Sequence, residues 1–423
     1  MNTWQIKNLF DVQGKETELK VEAGLFVDQF SQDAQPQTID ARGLTVIPGL
    51  VDLHTHLREP GREDAETVLT GAQAAVAGGY TAISAMPNTL PVADTAGVVE
   101  QVYRLGKLHQ LCDVYPIGAV TVGQKGDQLA ELTAMNQSEA KVRIFSDDGH
   151  CVADSLVMRR ALEYVKLFDG VIAQHAQDPR LTENAQMNEG EVSSKLGLKG
   201  WPAVAEEAII ARDILLTEHV GSRLHVCHLT TAGGVELIRD AKKKGLNVTA
   251  EVTPHHLLLT DELAGSFDPV YKVNPPLRTN KDVAALRAGL ADGTIDIVAT
   301  DHAPHPQESK DCEWSAAAFG MLGLETAFSI CYMTMVKNKL MSLSELVDRM
   351  ALRPAQIARY ENQGEIRSGN RANFALVDLN SSWTVEPKQL KSKSKNTPFA
   401  GMELPAVIEK TFHNGALVFD RRG

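Results

Sequence analysis

The chain has 423 residues, is 43% hydrophobic and carries a formal net charge of −12. This length allows one large domain together with a smaller one. The acidic balance argues against nucleic acid as a partner because phosphate binding needs clustered Lys and Arg, and no apolar run approaches the ~18 residues of a membrane span, which argues against a membrane partner.

Residues 1–50 are predicted to alternate short strands with turns. The segment lacks the cationic start and the apolar core of a signal peptide. The five cysteines of the chain are scattered and include no Cys-x-x-Cys pair. This is typical of reduced thiols rather than of a disulfide framework or a zinc finger. Together these features predict a cytoplasmic protein.

From residue 51 onward, apolar runs alternate with amphipathic segments. The helical pattern is clearest at 65–79, 155–168, 203–219 and 279–292. The predicted strands are 51–56, 80–86, 113–120, 142–148, 170–175, 223–229, 247–253 and 295–301. Eight strands that alternate with helices predict an α/β fold, a (β/α)8 TIM barrel, at residues 51–363.

Residues 364–423 return to short strands and turns, as in the first 50 residues. We therefore predict that residues 1–50 and 364–423 form one small, β-sandwich-like domain beside the barrel. The densest basic stretch of the chain, Lys388–Lys395, lies among Ser and Gln. We interpret it as a solvated loop rather than as a binding arm.

The first predicted barrel strand ends in a His-x-His pair, His54 and His56. Residues i and i+2 of a strand point to the same face, so both imidazoles can reach one metal ion. The pair alone is weak evidence, since such spacing also arises by chance in a chain with 13 histidines. The hypothesis of a metal site therefore depends on ligands elsewhere in the chain.

Further candidate ligands stand at the carboxyl ends of four other predicted strands, where the chemistry of a parallel barrel gathers. They are Asp148, His175, His228 and Asp301. Period-two alternation predicts that small or apolar residues lie beneath each ligand on the face that lines the barrel interior: Ile144 and Ser146 beneath Asp148, Ala173 beneath His175, Leu224 and Val226 beneath His228, and Ile297 and Ala299 beneath Asp301. Each candidate ligand alone is more often a packed histidine or a helix-capping carboxylate than a ligand. Together with the first pair they give four His and two Asp. That set is too large for one tetrahedral ion and predicts two metals bridged by an anion.

A second group of polar residues near the same strand ends could bind a substrate. Arg58 follows the His pair and can clamp a carboxylate in a bidentate manner, with Asn88 and His305 beside it. The alternative for Arg58 is a surface ion pair with Glu59 or Glu63.

Two loops complete this mouth. Asn274 follows the seventh predicted strand, and a long polar loop from Ala303 to Ala318 leads to Phe319 and Gly320. Loops of that length at a barrel mouth are often lids.

These residues stand in motifs that resemble those of the dihydroorotases, in the aspartate-bridged branch of the amidohydrolase superfamily. The resemblance extends along the whole chain, through IDARGLTVIPGLVDLHTHLREPG, AMPNT, FSDDG, HVCHLTTAGGVELIRDAK, TAEVTPHHLLL, YKVNPPLR, ATDHAPH, FGMLGLETAF and NTPFAG. Several of these motifs are specific rather than generic.

The resemblance implies two zinc ions per subunit. His54 and His56 would bind the first ion, and His175 and His228 would bind the second. Asp148 would bridge both ions.

The resemblance also implies the remaining roles. Asp301 would bind the first zinc and serve as the general acid and base. The substrate would be contacted by His56, Arg58, Asn88, Asn274, His305, Phe319 and Gly320.

Three positions depart from the family pattern. Many amidohydrolases bridge their metals with a carboxylated lysine on the fourth strand, but here Lys141 begins that strand and Asp148 has to serve. Gln177 stands where relatives commonly have Glu, which concerns a contact behind His175. Asn373 replaces a usual Asp in the C-terminal segment, and we expect no consequence.

The function implied by the resemblance is reversible ring closure of N-carbamoyl-L-aspartate to L-dihydroorotate, a step of pyrimidine biosynthesis, by metal-bound hydroxide with Asp301 as general acid and base. Two alternatives stay open. One is a hydantoinase, dihydropyrimidinase or allantoinase, whose rings lack this carboxylate, and the other is a non-catalytic scaffold. Arg58 and the Asn-Pro-Pro-Leu-Arg run at 274–278 favour the first function. A homodimer and an association with aspartate carbamoyltransferase are further expectations from the family.

Overall fold

The computed structural model describes residues 3–422, which form eighteen β-strands and eleven α-helices. The strands are β1 (Trp4–Phe10), β2 (Glu16–Glu22), β3 (Leu25–Phe26), β4 (Gln37–Asp40), β5 (Thr45–Pro48), β6 (Leu50–Thr55), β7 (Tyr80–Ala85), β8 (Asp113–Pro116), β9 (Ile144–Phe145), β10 (Val171–Gln174), β11 (Met187–Asn188), β12 (Gly200–Trp201), β13 (Leu224–Val226), β14 (Val248–Val252), β15 (Ile297–Val298), β16 (Phe374–Thr384), β17 (Glu403–His413) and β18 (Ala416–Asp420). The α-helices are α1 (Val68–Ala77), α2 (Ala96–His109), α3 (Leu132–Gln137), α4 (Ser155–Lys166), α5 (Glu191–Leu196), α6 (Val204–Val220), α7 (Ala232–Lys243), α8 (Asn280–Asp292), α9 (Ala327–Cys331), α10 (Leu343–Met350) and α11 (Leu352–Ala358). None of these helices is both long and apolar enough to span a bilayer.

Eight parallel strands form the barrel in the middle of the chain, so the predicted fold class is confirmed. β6, β7 and β8 pair in that order, and β9, β10, β13, β14 and β15 form a second parallel set. Two isolated parallel bridges, Gly118 with Phe145 and Thr55 with His302, join the two sets into a ring. The ring follows chain order and its strands alternate with helices, as in (β/α)8 folds.

Both ends of the described chain join one sheet beside the barrel. Its strand order is β18-β17-β16-β5-β1-β2-β3, and β4 pairs with β1. β16 from the C-terminal part runs antiparallel to β5 from the N-terminal part, with Phe374 opposite Pro48. The sheet has an apolar core of its own, which includes Trp4 and Phe412. The domain boundaries after residue 50 and before residue 364 stay predictions.

The barrel interior is filled by apolar side chains, and α11 covers its lower end. The interior cluster contains Val51, Leu53, Ala82, Met86, Ile117, Ile144, Ala173, Cys227 and Ile297, with Ala355, Ile357 and Ala358 of α11. Ile144, Ala173 and Ile297 lie on the faces that the period-two pattern placed beneath candidate ligands.

The period-two argument is wrong for the sixth barrel strand. It placed Leu224 and Val226 beneath His228, but both belong to the outer cluster between strands and helices, and Cys227 faces the interior. His228 reaches the mouth because the backbone leaves the extended conformation there, with a φ of +29°. The observed strand is therefore shorter than the predicted 223–229.

Backbone irregularity also ends the first and the last barrel strand. The register of β6 against β7 shifts between Asp52 and Thr55. The Asp52 carboxylate accepts the backbone N–H of Thr300 at 3.1 Å, which replaces a ladder bond, and Asp301 has a φ of +46°. Bulges and positive φ values commonly re-aim side chains next to functional sites.

Residues 385–402 connect β16 to β17 and cross from the sheet to the barrel mouth; we call this segment the strap. Its lysines at 391, 393 and 395 are exposed. They alternate with three buried polar residues: Ser392, Ser394 and Asn396. The interpretation of Lys388–Lys395 as a solvated loop is therefore correct for the lysines and wrong for the residues between them. An extended segment that alternates in this way packs one face against the protein.

Candidate functional site

Six candidate ligand side chains come together at the mouth formed by the carboxyl ends of the barrel strands. Each is at most 4% exposed. They follow or end five different strands: His54 and His56 (β6), Asp148 (β9), His175 (β10), His228 (β13) and Asp301 (β15). The parallel arrangement of the strands brings residues far apart in sequence to this one rim.

The Asp148 carboxylate lies at the centre of the group. Its Oδ1 atom lies 3.2 Å from both His175 Nδ1 and His228 Nε2 and 3.4 Å from His54 Nε2. Its Oδ2 atom lies 3.3 Å from His56 Nε2. One carboxylate is thus shared between two histidine pairs, which is the arrangement that a bridging ligand needs.

Asp301 stands beside the first histidine pair. Its Oδ1 atom lies 3.0 Å from His56 Nε2 and 3.5 Å from His54 Nε2. Burial alone would raise the pKa of Asp301, but the adjacent His54 and His56 imidazoles lower that pKa to about 2. Asp301 is therefore an ionised carboxylate that can bind a cation or accept a proton.

Glu251 on β14 orients the first histidine. Its Oε1 atom accepts the Nδ1–H of His54 at 2.6 Å and the backbone N–H of His228 at 3.1 Å, and its Oε2 atom accepts the Nε2–H of His225 at 3.0 Å. Because both oxygens accept these donors, Glu251 fixes the His54 ring rather than adding a ligand. Cys227 is close by, but burial raises the pKa of its thiol, and a protonated thiol is a poor ligand.

The sequence analysis missed Glu251. A signal was present, because a carboxylate in the middle of the apolar strand Val248–Val252 must have buried partners. The sequence does not say which partners those are, since His54 and His225 come from two other strands.

Asn88 and Gln177 orient two further histidines through their amide oxygens. His56 donates its Nδ1–H to Asn88 Oδ1 at 2.9 Å, and His175 donates its Nε2–H to Gln177 Oε1 at 2.7 Å. Gln177 supplies the acceptor where relatives commonly have Glu, so this departure leaves the contact in place. In the neutral tautomer that these two acceptors favour, the ring nitrogens that face Asp148 carry no proton and can bind a cation.

The donor set fits a binuclear site for divalent cations. Two groups of donor atoms that share Asp148 each lie within 4.8 Å of one another: His54, His56 and Asp148, and Asp148, His175 and His228. Among the described residues, the buried Nε2 of His54 has no hydrogen-bond partner. A buried polar atom without a partner is costly, and a cation between the imidazoles and the ionised carboxylates would satisfy it.

Arg58 is a buried cation at the same mouth. It is 6% exposed, and its Nε–H donates to the Pro304 carbonyl at 3.1 Å, while one terminal nitrogen lies 3.5 Å from His305 Nε2. The carboxylates of Glu59 and Glu63, the alternative partners, instead accept backbone N–H groups at 2.8 Å and 2.7 Å. Within residues 3–422, Arg58 therefore forms no ion pair and its terminal nitrogens can receive an anion.

The other predicted substrate contacts adjoin Arg58 and the metal ligands. His305 donates its Nε2–H to the Phe319 carbonyl at 2.8 Å. Burial and the charge of Arg58 lower the pKa of His305 to about 3, so the ring is neutral. Asn274 donates to Gln177 Oε1 at 3.2 Å, and its buried Oδ1 has no partner in the part of the chain that the structure describes.

Comparison with known sequences gives a consistent result. A family model described as dihydro-orotase-like matches residues 43–233. A dihydroorotase of Streptomyces coelicolor is 64% identical over 380 residues, which are 90% of this chain and 89% of that protein. A dihydroorotase of Mycobacterium tuberculosis is 50% identical over 407 residues, which are 95% of each chain.

Comparison with solved structures gives the same fold. An L-hydantoinase (dihydropyrimidinase) from Arthrobacter aurescens superposes with a TM-score of 0.87 at 26% identity, covering 100% of this chain and 97% of that one. A dihydropyrimidinase from Brevibacillus agri gives a TM-score of 0.84 at 21% identity, covering 99% and 95% of the two chains. At 21% identity, the similarity to the Brevibacillus agri structure shows only that the two proteins share a fold.

Proposed function

The chain belongs to the dihydroorotase family of metal-dependent amidohydrolases, and we propose that it interconverts N-carbamoyl-L-aspartate and L-dihydroorotate at the barrel mouth. The observation that carries this choice of substrate is the buried Arg58 beside the histidine and aspartate centre, which forms no ion pair with any residue from 3 to 422. A guanidinium without a carboxylate partner is prepared for an anionic substrate. The dihydroorotate ring carries a carboxylate, whereas the ring substrates of dihydropyrimidinases do not.

We propose two Zn²⁺ ions per subunit as the resident metals. The supporting observation is the donor set of imidazole and carboxylate groups, which suits zinc among the divalent ions. His54, His56 and Asp301 would hold one ion, and His175 and His228 would hold the other, with Asp148 shared. When bound, such ions lower the pKa of water to ~7 and polarise an amide carbonyl.

Asp301 moves the proton in this proposal. In the hydrolytic direction its carboxylate takes a proton from the attacking water and returns it to the ring nitrogen as the amide bond breaks. In the synthetic direction the same carboxylate takes the proton from the carbamoyl nitrogen as the ring closes. The ionised state of Asp301 supports the first of these roles, since only a carboxylate can begin as a base.

Arg58 orients the ring in this proposal. Its terminal nitrogens would bind the substrate carboxylate in a bidentate manner, and His305 and Asn88 would add single hydrogen bonds. The backbone of Phe319 and Gly320 would contact the opposite side of the ring. Fixing the ring in this way presents its amide carbonyl to the metal centre and converts binding into correct orientation.

A substrate panel tests the proposal. The protein should hydrolyse dihydroorotate, and it should act on dihydrouracil and allantoin at least 100-fold more slowly, because their rings leave Arg58 buried and unpaired. Arg58→Ala should lower kcat/KM for dihydroorotate by about 100-fold or more. Arg62→Ala is the matched control, since Arg62 is an exposed arginine on the same segment and should leave kcat/KM unchanged.

Two results would contradict this proposal. A preference for dihydrouracil or allantoin would assign the chain to the hydantoinase group, to which the Arthrobacter aurescens structure belongs. Protein purified without chelator that holds no divalent metal and turns over none of the three rings would indicate a non-catalytic scaffold.

The assembly and location of the protein are also proposals. We propose a cytoplasmic homodimer that associates with aspartate carbamoyltransferase, which supplies carbamoyl-aspartate. The support is the family resemblance. Light scattering of the purified protein tests whether it is a homodimer. Co-purification of the two enzymes from the native host tests their association.

A further inference from the structure

One side chain of the strap connects it to both ends of the loop that follows β15. Asn396 is 7% exposed. Its Nδ2 donates to the carbonyls of Ala303 at 3.0 Å and Gly320 at 3.3 Å, and its Oδ1 accepts the backbone N–H of His305 at 3.2 Å. A single amide thus satisfies three backbone groups that belong to the start and the end of the loop.

The strap is bound to the barrel at Asn396 and at the residues just before it. The Asn396 carbonyl accepts the backbone N–H of Leu322 at 3.1 Å, and Ser394 Oγ donates to the Ala65 carbonyl at 2.7 Å. Glu66, which is fully buried, accepts the backbone N–H of Lys393 at 3.0 Å. Because these anchors lie on the barrel, the Asn396 side chain is presented in one fixed position.

The loop ends that Asn396 holds are packed against each other with little free space. A methyl group placed on Gly320, whose φ is +139°, would lie 2.8 Å from both His305 Nε2 and the Ala303 side chain. The backbone N–H of Gly320 is also bound to the Lys272 carbonyl at 2.9 Å. A shift of either loop end therefore moves the His305 ring and the Gly320 backbone together.

We propose that Asn396 is a positioning residue for substrate binding, which sets the distance between the His305 ring and the Gly320 backbone. The inference rests on the proposed function, in which His305 and Gly320 contact the substrate. It also assigns a role to the strap: a segment of the C-terminal part of the chain completes a site whose metal ligands all come from the barrel strands. Asn396 itself acts through the loop and not on the reacting atoms.

The test is the separate measurement of KM and kcat for dihydroorotate in Asn396→Ala. KM should rise about tenfold or more, because the contacts that fix the ring are misplaced, while kcat stays within threefold because the metal ligands and Asp301 are untouched. The dissociation constant of orotate, which keeps the ring carboxylate and differs from dihydroorotate by one ring double bond, should rise by a similar factor. This binding measurement does not depend on turnover.

Asn373→Ala is the matched control. Asn373 is 2% exposed, donates to Gln363 Oε1 at 3.0 Å and accepts the backbone N–H of Asn414 at 2.7 Å, and none of these partners lies at the barrel mouth. Its removal costs a comparable set of buried hydrogen bonds. Asn373→Ala should therefore lower the melting temperature as Asn396→Ala does and leave KM unchanged.

Two outcomes separate this inference from the proposed function. If the wild-type protein hydrolyses dihydroorotate and Asn396→Ala keeps the wild-type KM, the positioning role is wrong. If the wild-type protein fails to hydrolyse dihydroorotate, the proposed function is wrong. Should Asn396→Ala fail to fold, Asn396→Asp replaces it: the variant has the same shape and lacks both N–H donations, so KM should rise, and a wild-type KM in this variant would overturn the inference.

Discussion

Three of the residues proposed to contact the substrate or the metals lie in an unusual backbone conformation. Arg58, His228 and Asp301 have φ values of +63°, +29° and +46°. Non-glycine residues in this region cost about 1–3 kcal/mol each and persist where the surroundings enforce them. Here the surroundings do so: for example, Glu251 accepts the backbone N–H of His228. The strain turns side chains into the mouth that a regular strand would direct elsewhere.

If Asp301 moves the proton, turnover should depend on its ability to be protonated. Asp301→Asn keeps the shape of the side chain and an oxygen for a metal, but the amide cannot take up a proton. We expect kcat for dihydroorotate hydrolysis to fall by about 1,000-fold, within the range of lost general acid–base catalysis, while the metal content per chain falls by less than half. Steady-state kinetics and elemental analysis on the same preparation measure both.

Asp178→Asn is the control for that experiment. Asp178 lies just after Gln177 and accepts the backbone N–H groups of Arg180 and Leu181 at 2.8 Å and 3.0 Å, so its charge has a local structural role. This variant should keep kcat. Near-normal turnover by Asp301→Asn would mean that another group moves the proton.

At the scale of elements, the strands and helices could largely be predicted from the sequence, because apolar periodicity directly reflects burial. The predicted helices at 155–168 and 279–292 correspond to α4 and α8. The eight predicted barrel strands all occur, although those at 142–148 and 295–301 shrink to two residues each. After the second of these, the Asp52 carboxylate accepts the backbone N–H of Thr300 in place of a neighbouring strand.

The site could be predicted in part. The position of residues at strand ends identified side chains that do come together. The period-two argument for His228 was wrong, because periodicity cannot show a change of backbone conformation at the end of a strand. The strap was missed for a related reason. Its buried face consists of Ser392, Ser394 and Asn396, and polar residues carry no burial signal until their partners are known.

A single lysine holds the loop after β15 in place. Lys310 is 9% exposed, and its Nζ donates to the carbonyls of Pro269, Lys272 and Ala318 at 2.9 Å, 2.9 Å and 2.7 Å. One ammonium group thus ties the middle of the loop to the end of the same loop and to residues 269–272, which precede α8. Lys310→Met has similar length but no donor, and it leaves buried carbonyls unpaired, which costs about 1–3 kcal/mol.

We expect Lys310→Met to loosen this loop without unfolding the barrel. A protease that cleaves after aromatic residues should cut at Trp314 or Phe319 at least tenfold faster than in the wild type, as follows from an opening made easier by about 1.4 kcal/mol. Lys388→Met, an exposed lysine on the strap, should show the wild-type rate. Equal rates in all three proteins would show that other contacts hold the loop.

At the scale of the whole molecule, the barrel and the terminal sheet are joined by a partly buried ion cluster at the end of the barrel opposite the mouth. Asp113 begins β8 and is 7% exposed. Its carboxylate accepts from Arg371 Nη1 at 2.7 Å and from Gln363 Nε2 at 2.6 Å, and His413 Nε2 lies 3.5 Å away. Residues from the barrel and from the C-terminal part of the chain thus share one charge.

The cluster also predicts how stability depends on pH. Burial alone would raise the pKa of Asp113, but His413 and Arg371 hold that pKa well below its usual range. The unfolded chain therefore binds more protons than the folded protein as the pH falls, so the stabilisation is complete above pH ~5 and is lost progressively below it. The difference in unfolding free energy between wild type and Asp113→Ala should be about 3 kcal/mol at pH 7 and smaller at pH 3.

A double-mutant cycle identifies which partner of Asp113 joins the two parts of the molecule. Arg371 and Lys107 both approach this carboxylate, but the Lys107 Nζ lies 3.8 Å away on a side chain that is 57% exposed, whereas Arg371 is 26% exposed. We expect a coupling free energy above 1 kcal/mol for Asp113 with Arg371 and below 0.5 kcal/mol for Asp113 with Lys107, because exposed pairs are screened by water. Urea unfolding of the four proteins in each cycle gives both values. If the coupling with Arg371 were no larger than the coupling with Lys107, the ion cluster would not join the sheet to the barrel.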